Sequence, residues 1–352
     1  MKRTGKPGEP SSGLFRVVVV GAASLKGKEI KDVLGERSFP SDDVKLLDDE
    51  ESLGQLESVG EEPTFIQQVT PEQHEGADFT FFAGEEAHTA KTWKQAREAG
   101  SEIIDLSYAL DAEPGASLRA PLIERELGQT PKVELKTAPV VVAHPVATVL
   151  ALLLARVQKV RQIRSVNATV CEPASEYGKG GMDELHDQTV NLLSFQQLPM
   201  NVFGTQVAFN LGSGYGEEVK PTLRTTELRI LNHYTRITNG KVPLPSLMLV
   251  HAPVFHAHTF SIYIDLASPV DQNELQAALS GDHVQITHSH DEEPSNVNVA
   301  GAEDILVSVR ADVNRETGVW LWVAADNLRL IAITAIHCAE EMVATRPRGQ
   351  VQ

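Results

Sequence analysis

A strand that runs directly into a glycine turn and a helix opens the regular pattern of this chain. Residues 15–20 are rich in valine, the turn spans 21–27, and residues 28–34 are amphipathic. Further elements follow in alternation, with strands predicted at 44–47, 79–82 and 102–106 and a helix over 87–99. Strands that alternate with helices pair in parallel, because each helical crossover returns the chain to the same end of the sheet. The sequence therefore predicts an α/β unit whose parallel sheet is covered by helices on both faces.

The pattern changes at about residue 144. A helix is predicted over 147–157, and strands are predicted at 165–170, 246–250, 259–266, 306–310 and 319–323. Because regular helical crossovers are missing here, we expect an antiparallel sheet in an α+β unit. The last predicted helix, over 330–344, is largely apolar on one face. Residues 1–13 are basic and rich in Pro, Gly and Ser, and we expect a disordered tail there.

Charge and cysteine content exclude several classes of function. The 352 residues include 31 Lys and Arg against 48 Asp and Glu, a formal net charge of −17. Such an acidic chain repels phosphates, so neither nucleic acid nor an anionic membrane is an expected partner. Only Cys171 and Cys338 are present, which excludes a disulfide framework and fits a reducing, cytoplasmic compartment. The most apolar stretch, 137–155, contains two prolines and is interpreted as strand, turn and helix rather than a membrane span.

The glycine turn and the end of the second strand indicate a nucleotide site. Gly21, Ser24, Leu25 and Gly27 lie where the backbone N–H groups of a helix N-terminus attract phosphate. The fingerprint is incomplete, because Ser24 stands where a middle glycine is usual. Asp48 and the three acidic residues after it end the second strand with no arginine nearby, which favours NAD over NADP. A tight turn without ligand and a solvated acidic loop are the alternative interpretations.

Three histidines stand close together in the second half of the chain, at His251, His256 and His258. Strand alternation would place His256 and His258 on one face, where two imidazoles can bind a metal or one can act as a general base. No Asp, Glu or Cys stands at ligand spacing from them, so we predict no metal site.

Four stretches of the chain resemble one family of enzymes. They are 175–185 continued by Gln188 and Thr189, Phe203 with 206–210, Pro253 and Val254 with His258, and 322–329. In this order they resemble aspartate-semialdehyde dehydrogenase, and the nearest likeness is to its USG-type paralogues. The resemblance implies an N-terminal Rossmann domain, a central α+β domain that carries catalysis and forms a homodimer, and a terminal helix that returns to the first domain. The resemblance implies that the Rossmann domain comprises residues 14–143 and 328–352 and that the α+β domain comprises residues 144–327.

The resemblance also implies a reaction and the residues that perform it. Members of the family reduce aspartyl phosphate to aspartate semialdehyde with NADPH, through a cysteine thioester and a histidine acid/base. On their motifs, the cysteine position falls on Val146 and the histidine position on His258. A substrate-orienting glutamine falls on Glu172. Two arginine positions, for the substrate carboxylate and phosphate, fall on His251 and Asp111.

These substitutions predict a chain that is silent in the family's reaction, because valine forms no thioester and two cationic contacts to an anionic substrate are replaced. The cofactor site, which the resemblance extends to Asn327, would hold NAD or NADP, with NAD favoured. A binding or regulatory role is then expected, with a protein partner or a small-molecule ligand. The alternative is an active NAD(P)-dependent oxidoreductase that uses His258 on a different aldehyde or carbonyl substrate. Lys220 and Glu227 match no family position without an insertion and stay unassigned.

Overall fold

The computed structural model describes residues 14–37, 39–60, 62–129, 138–288 and 290–345. The predicted tail at 1–13 lies outside these residues. The first half contains, in chain order, β1 (Phe15–Val20), α1 (Leu25–Glu36), β2 (Ser41–Asp48), β3 (Leu56–Val59), β4 (Glu62–Phe65), β5 (Gln67–Gln68), β6 (Phe79–Phe82), α2 (Glu86–Glu98), β7 (Glu102–Asp105), β8 (Ser117–Arg119), α3 (Pro121–Glu126) and β9 (Val140–Val142). The second half contains α4 (Pro145–Val160), β10 (Ile163–Glu172), α5 (Gly178–Leu193), α6 (Leu223–Thr238), β11 (Ser246–His251), β12 (His258–Leu266), α7 (Gln272–Leu279), β13 (Val284–Ile286), β14 (Ile305–Ala311), β15 (Gly318–Ala325) and α8 (Asn327–Thr345).

A parallel sheet forms the centre of the first half. Within the described residues seven strands take the order β5-β2-β1-β6-β7-β9-β8, and every neighbouring pair is parallel. Val17 to Val20 of β1 are all buried, as a strand covered on both faces requires. The predicted parallel α/β unit is confirmed. The chain turns to opposite sides of β1 to form β2 and β6, so the carboxyl ends of β1 and β6 frame the crevice where such sheets bind ligands.

The second sheet is mixed, whereas the sequence predicted an antiparallel one. In the described part of the chain six strands take the order β11-β10-β12-β15-β14-β13. The central pairs are antiparallel, but β11 pairs in parallel with β10 and β13 pairs in parallel with β14. The prediction is wrong at these two edges. A long connection that contains α5 and α6 returns the chain to the same end of the sheet before β11 begins, and the connection from β13 to β14 does the same at the other edge.

The two large sheets each pack in a large hydrophobic core. The buried strands of the first sheet pack with Ile331 to Met342 of α8, so the last helix returns to the first domain as predicted. The residues from Val146 to Val157 of α4 belong to the second core and are buried throughout. Pro145 occupies the first turn of α4, where a proline sacrifices no hydrogen bond. Although α4 is so apolar, neither it nor any other helix in the described residues is long and apolar enough to cross a membrane.

Candidate functional site

The glycine turn after β1 is held by close backbone contacts. Gly21 has φ 79°, and a Cβ there would lie 2.3 Å from the backbone of Gly84, which follows β6. A Cβ on Gly27 would lie 2.2 Å from the Gly21 carbonyl oxygen. Ser24 caps α1, because its Oγ accepts from the Gly27 N–H and donates to the Ala83 carbonyl. Both glycines are therefore required for packing, whether or not a ligand binds.

Two N–H groups of the turn remain available to a ligand. The Ala23 N–H donates to the Asp48 carboxylate at 2.7 Å, and the two N–H groups before it donate to the Leu47 carbonyl. Within the described residues, the N–H groups of Leu25 and Lys26 bond to nothing. They form the N-terminus of α1, the end of a helix that attracts anions. These two N–H groups can donate to a phosphate, and phosphate binding at this turn stays a prediction.

Asp48 is a fixed carboxylate at the end of β2. One oxygen accepts from the Ala23 N–H, and the other accepts from the Asp49 N–H at 2.9 Å. Asp49 and Glu51 are exposed, and the Asp49 carboxylate caps the short turn after β2 by accepting from the Glu51 N–H. Negative charge therefore stands beside the glycine turn. The preference for NAD over NADP stays a prediction.

Lys26, absent from the predicted site, reaches across the crevice. Its Nζ donates to the Leu106 carbonyl at 2.9 Å and lies 4.7 Å from the centroid of the Tyr108 ring. Lys26 starts in the helix after β1 and Leu106 follows β7, so the side chain passes over the carboxyl end of β6. Burial lowers the pKa of Lys26, although the charges of Glu176 and Asp105 oppose this shift.

Beside the crevice, the ring of Tyr108 contacts side chains of α1, of the turn before α4 and of α6. Its backbone is left-handed, with φ 69°, an uncommon conformation for a bulky residue that its surroundings must hold in place. Its ring stacks on His144 with centroids 5.6 Å apart, and the guanidinium of Arg229 lies 4.9 Å from the ring centroid. The hydroxyl is buried and has no hydrogen-bond partner among the described residues.

Asp111, at an expected arginine position, is paired with side chains of α6. Its carboxylate lies 3.2 Å from Nε of Arg229 and 3.0 Å from Nε2 of His233. Nδ1 of His233 accepts from the His144 N–H at 3.0 Å, which assigns the proton to Nε2, where Asp111 accepts it. His144 in turn caps α4, because its Nδ1 accepts from the Val146 N–H at 3.2 Å. Burial, with the neighbouring histidines and cations, lowers the pKa of His144 well below its usual range.

His258 lies beside His144, with the two ring centroids 6.1 Å apart. Its Nε2 lies 3.7 Å from the Glu176 carboxylate and has no hydrogen-bond partner among the described residues. Burial lowers the pKa of His258, against the opposing charge of Glu176, so the imidazole is neutral at neutral pH. Val146 is fully buried in the first turn of α4. The cluster thus contains histidines that can exchange protons but no nucleophile at Val146.

The backbone before His258 differs from the sequence prediction. β12 begins at His258, and Ala257 has φ 70°, so no strand extends back to His256. The prediction that His256 and His258 share a strand face is therefore wrong. Asn327, predicted on the cofactor side, uses its amide within the protein, because Nδ2 donates to Glu176 at 2.7 Å and Oδ1 accepts from the Ala257 N–H at 3.1 Å. Asn327 thereby positions the loop that carries His258.

Glu172 and His251 lie side by side where β10 and β11 end. Both are buried, and Tyr215 joins them, since its hydroxyl lies 3.4 Å from Glu172 and its ring stacks on His251 with centroids 5.3 Å apart. Burial and the charge of Glu176 raise the pKa of Glu172 well above its usual range, which favours the protonated carboxyl. Burial also lowers the pKa of His251. This pair therefore supplies no cation to the cleft at neutral pH.

Neither cysteine replaces the missing nucleophile. Cys171 pairs with Thr259 across β10 and β12, so it lies on the opposite face of the sheet from Glu172 and His258. Cys338 is buried in α8 within the first core, and burial raises its pKa. No group of three or more His, Cys, Asp or Glu side chains in the described ranges is arranged to hold a metal ion.

The structure divides the predicted site residues into three groups. One group surrounds His144 and comprises Asp111, Val146 and His258, with Asn327 holding the loop that carries His258. A second is the pair Glu172 and His251, and a third is the turn with Gly21, Ser24, Leu25, Gly27 and Asp48. The sequence analysis missed α6, which supplies Arg229 and His233, although Leu223, Ile230 and Ile237 recur at seven-residue steps and are all buried.

Comparison with known proteins agrees with this architecture. Residues 16–143 match the NAD-binding domain of semialdehyde dehydrogenase, and residues 153–330 match its dimerisation domain. The aspartate-semialdehyde dehydrogenase of Rickettsia bellii is 28% identical over 338 residues, which cover 94% of this chain and 98% of the relative. A USG-1 protein homolog of Pseudomonas aeruginosa is 28% identical over 332 residues, which cover 94% of this chain and 98% of the relative.

Solved structures show the same likeness. A probable aspartate-semialdehyde dehydrogenase from Pseudomonas aeruginosa superposes with a TM-score of 0.82 at 27% identity and covers 94% of this chain and 98% of its own. Aspartate semialdehyde dehydrogenase II of Vibrio cholerae, complexed with ASA, has a TM-score of 0.83 at 25% identity, with 96% and 100% covered. Both domains and their order are thus accounted for, and the chain belongs to the semialdehyde dehydrogenase family.

Proposed function

We propose that this chain is a homologue of aspartate-semialdehyde dehydrogenase that is silent in the thioester reaction and has a binding or regulatory role. The observation that carries the proposal is Val146, buried in the first turn of α4 at the position expected for the nucleophile. Valine offers no nucleophile, and Cys171 and Cys338 both lie elsewhere. Without a covalent intermediate, His258 alone supplies only a small part of the required rate acceleration.

The charges of the cleft support the same proposal. Aspartyl phosphate is an anion, whereas Asp111 stands at one expected cation position and a neutral His251 at the other. Arg229 is already paired with Asp111. The loss of a charge-assisted contact costs a ligand about 1.5–3 kcal/mol. We therefore expect poor affinity for phosphorylated acids.

The proposed binding role rests on the first domain. The N–H groups of Leu25 and Lys26 offer a phosphate position at the N-terminus of α1, and Asp48 and Asp49 place negative charge at the end of β2. A carboxylate there accepts a hydrogen bond from a ribose 2′-hydroxyl and repels a 2′-phosphate. We propose that NAD binds in preference to NADP.

The proposed assembly is a homodimer in the cytoplasm. Met248 of β11 and Trp320 of β15 lie on one face of the second sheet and are 52% and 40% exposed. The match of residues 153–330 to the dimerisation domain of semialdehyde dehydrogenase supports a homodimer. Both cysteines are free thiols, which is typical of proteins from a reducing compartment. Sedimentation equilibrium tests the assembly, and a monomer at all concentrations would contradict it.

A second candidate function is an active NAD(P)-dependent oxidoreductase on a different aldehyde or carbonyl compound. Two buried polar atoms favour it, Nε2 of His258 and the hydroxyl of Tyr108, because neither has a hydrogen-bond partner in the described part of the chain. Buried polar groups are normally paired, so a ligand oxygen is a natural partner for them.

An activity assay separates these candidates. Purified protein is incubated with aspartate semialdehyde, phosphate and either NAD or NADP, and formation of reduced nicotinamide is followed by absorbance. We expect no turnover above the rate without protein. Turnover of aspartate semialdehyde would overturn the silent assignment, whereas turnover of a different aldehyde would favour the second candidate. Calorimetric titration with NAD tests the binding role independently of any activity.

A further inference from the structure

The Lys26 side chain fills one half of the crevice at the carboxyl ends of β1 and β6. In the sheet order β2-β1-β6-β7, α1 leaves from the end of β1, and Leu106 follows the end of β7. Neighbouring strands lie about 4.8 Å apart, so Lys26 and its contact with Leu106 bridge a gap of about 10 Å over β6. The Lys26 side chain therefore crosses the space above the carboxyl end of β6.

Lys26 is fixed at the far end of its side chain. Its ammonium donates to the Leu106 carbonyl at 2.9 Å and lies 4.7 Å from the Tyr108 ring centroid, where the electrons of the ring face attract a cation. The carboxylates of Glu176 and Asp105 add further attraction. A lysine bonded in this way obstructs the space that it crosses, unlike an exposed lysine that moves freely in water.

The wall behind Lys26 is also held in place. Tyr108 stacks on His144, and the guanidinium of Arg229 lies over its ring. Arg229 is itself bonded to Asp111 at 3.2 Å. For Tyr108 to move aside, contacts with α4 and α6 must break together.

The half of the crevice toward β2 offers ligand contacts instead. The N–H groups of Leu25 and Lys26 have no partner among the described residues, and Asp48 stands at the end of β2. In folds of this kind the pyrophosphate of a dinucleotide lies at the N-terminus of the first helix, and an acidic residue at the end of the second strand binds the adenosine ribose. The nicotinamide half then extends the other way, toward β6 and β7, where Lys26 lies.

We propose that this crevice takes the adenosine diphosphate ribose part of a nucleotide and that Lys26 excludes the nicotinamide. The inference rests on the nucleotide binding proposed above and specifies its ligand. NAD binds through its adenosine half alone, and its nicotinamide stays in water. ADP-ribose is then an equivalent ligand. No hydride donor is held beside His258, which agrees with a chain that is silent in redox chemistry.

Calorimetric titration of the full chain with NAD, NADH and ADP-ribose tests this inference. We expect dissociation constants that agree within about threefold, because the nicotinamide adds no contact. The fluorescence of NADH should remain that of free NADH. Binding of NAD more than about tenfold tighter than ADP-ribose, or enhanced NADH fluorescence, would overturn the inference and leave nucleotide binding intact. Binding of none of the ligands would overturn both proposals.

Variants of Lys26 test whether the bulk or the charge of its side chain excludes the nicotinamide. Lys26→Ala opens the crevice, Lys26→Met keeps the bulk without the charge, and Lys28→Ala is a matched control on an exposed lysine of the same helix. Alanine and methionine both favour helix, so α1 should remain folded, which circular dichroism checks. We expect NAD binding relative to ADP-ribose to tighten about tenfold in Lys26→Ala alone. An unchanged ratio in Lys26→Ala, or equal tightening in Lys26→Met, would contradict exclusion by bulk.

Discussion

The glycine turn before α1 and the turn before α4 both follow a strand of the first sheet, but they are built differently. The first depends on backbone contacts, with Gly21 against Gly84 and Gly27 against Gly21. The second depends on side chains, since His144 caps α4 and bonds to His233 of α6. A turn fixed by backbone contacts keeps its glycines with or without a ligand. In a turn that is held by side chains every residue can be substituted, so the residues present there are more informative about function.

Gly21→Ala should have the largest effect on stability. Its Cβ would lie 2.3 Å from the Gly84 backbone, in addition to the unfavourable φ of 79°. We expect a loss of about 3–4 kcal/mol in the free energy of unfolding, measured with denaturant. The control is Gly54→Ala, with φ 75° and no atom within 4 Å among the described residues. It should lose only about 1 kcal/mol. Equal losses would show that φ alone requires the glycine.

Acid should loosen the α4 turn before it affects the glycine turn. Burial lowers the pKa of His144 well below the ordinary histidine value of about 6.5, so the unfolded chain binds the proton first. The stability that neutral His144 contributes is complete above about pH 6.5 and is lost progressively as the pH falls below that value. At about pH 5 the loss reaches up to about 2 kcal/mol. Protonation of Nδ1 also removes the bond to the Val146 N–H.

Hydrogen exchange at the first turns of α4 and α1 measures this difference, after correction for the pH dependence of free amides. Protection in α4 should fall between neutral pH and about pH 5, while protection in α1 changes little. His144→Asn is the control, because asparagine can cap the helix but does not titrate. The same acid response in that variant would exclude His144 as the group responsible.

The preference for NAD over NADP, which we assign to the glycine turn and the end of β2, should be a smaller effect than the two changes in stability. We expect NAD to bind about tenfold more tightly, because the carboxylates near Asp48 repel a 2′-phosphate. Asp48→Asn keeps an oxygen for the Ala23 N–H, so the turn should stay folded while the preference falls to about threefold. Glu98→Gln, on an exposed side chain at the end of α2 and outside this acidic run, is the control for general charge. Tighter binding of NADP by the unaltered protein would contradict the role assigned to Asp48.

The sequence predicted the features that are encoded within a single segment, and it missed the contacts that form between residues distant in the chain. The valine run of β1 and the apolar face of α8 lie where the pattern predicted them, because the hydrophobic pattern within each segment determines which of its side chains are buried. The parallel edge at β11 depends on the path through α5 and α6, which no single segment contains. The site divides in the same way. Motifs located Asp111 and Val146 one by one, but the bond between Asp111 and His233 joins residues 122 positions apart, and Lys26 reaches a carbonyl 80 positions away.

Val146→Cys should have the smallest effect on activity. It places a thiol at a helix N-terminus, where the pKa of a cysteine is lowered, yet it changes none of the surrounding charges. Asp111 and neutral His251 still face an anionic substrate, so turnover of aspartate semialdehyde should stay at the background rate. The comparison that should show a gain is the variant that adds Asp111→Arg, His251→Arg and Lys26→Ala, because Lys26 otherwise excludes the nicotinamide that accepts the hydride. Strong turnover by the single variant would mean that one side chain, rather than a rebuilt α4 turn, separates this chain from its catalytic relatives.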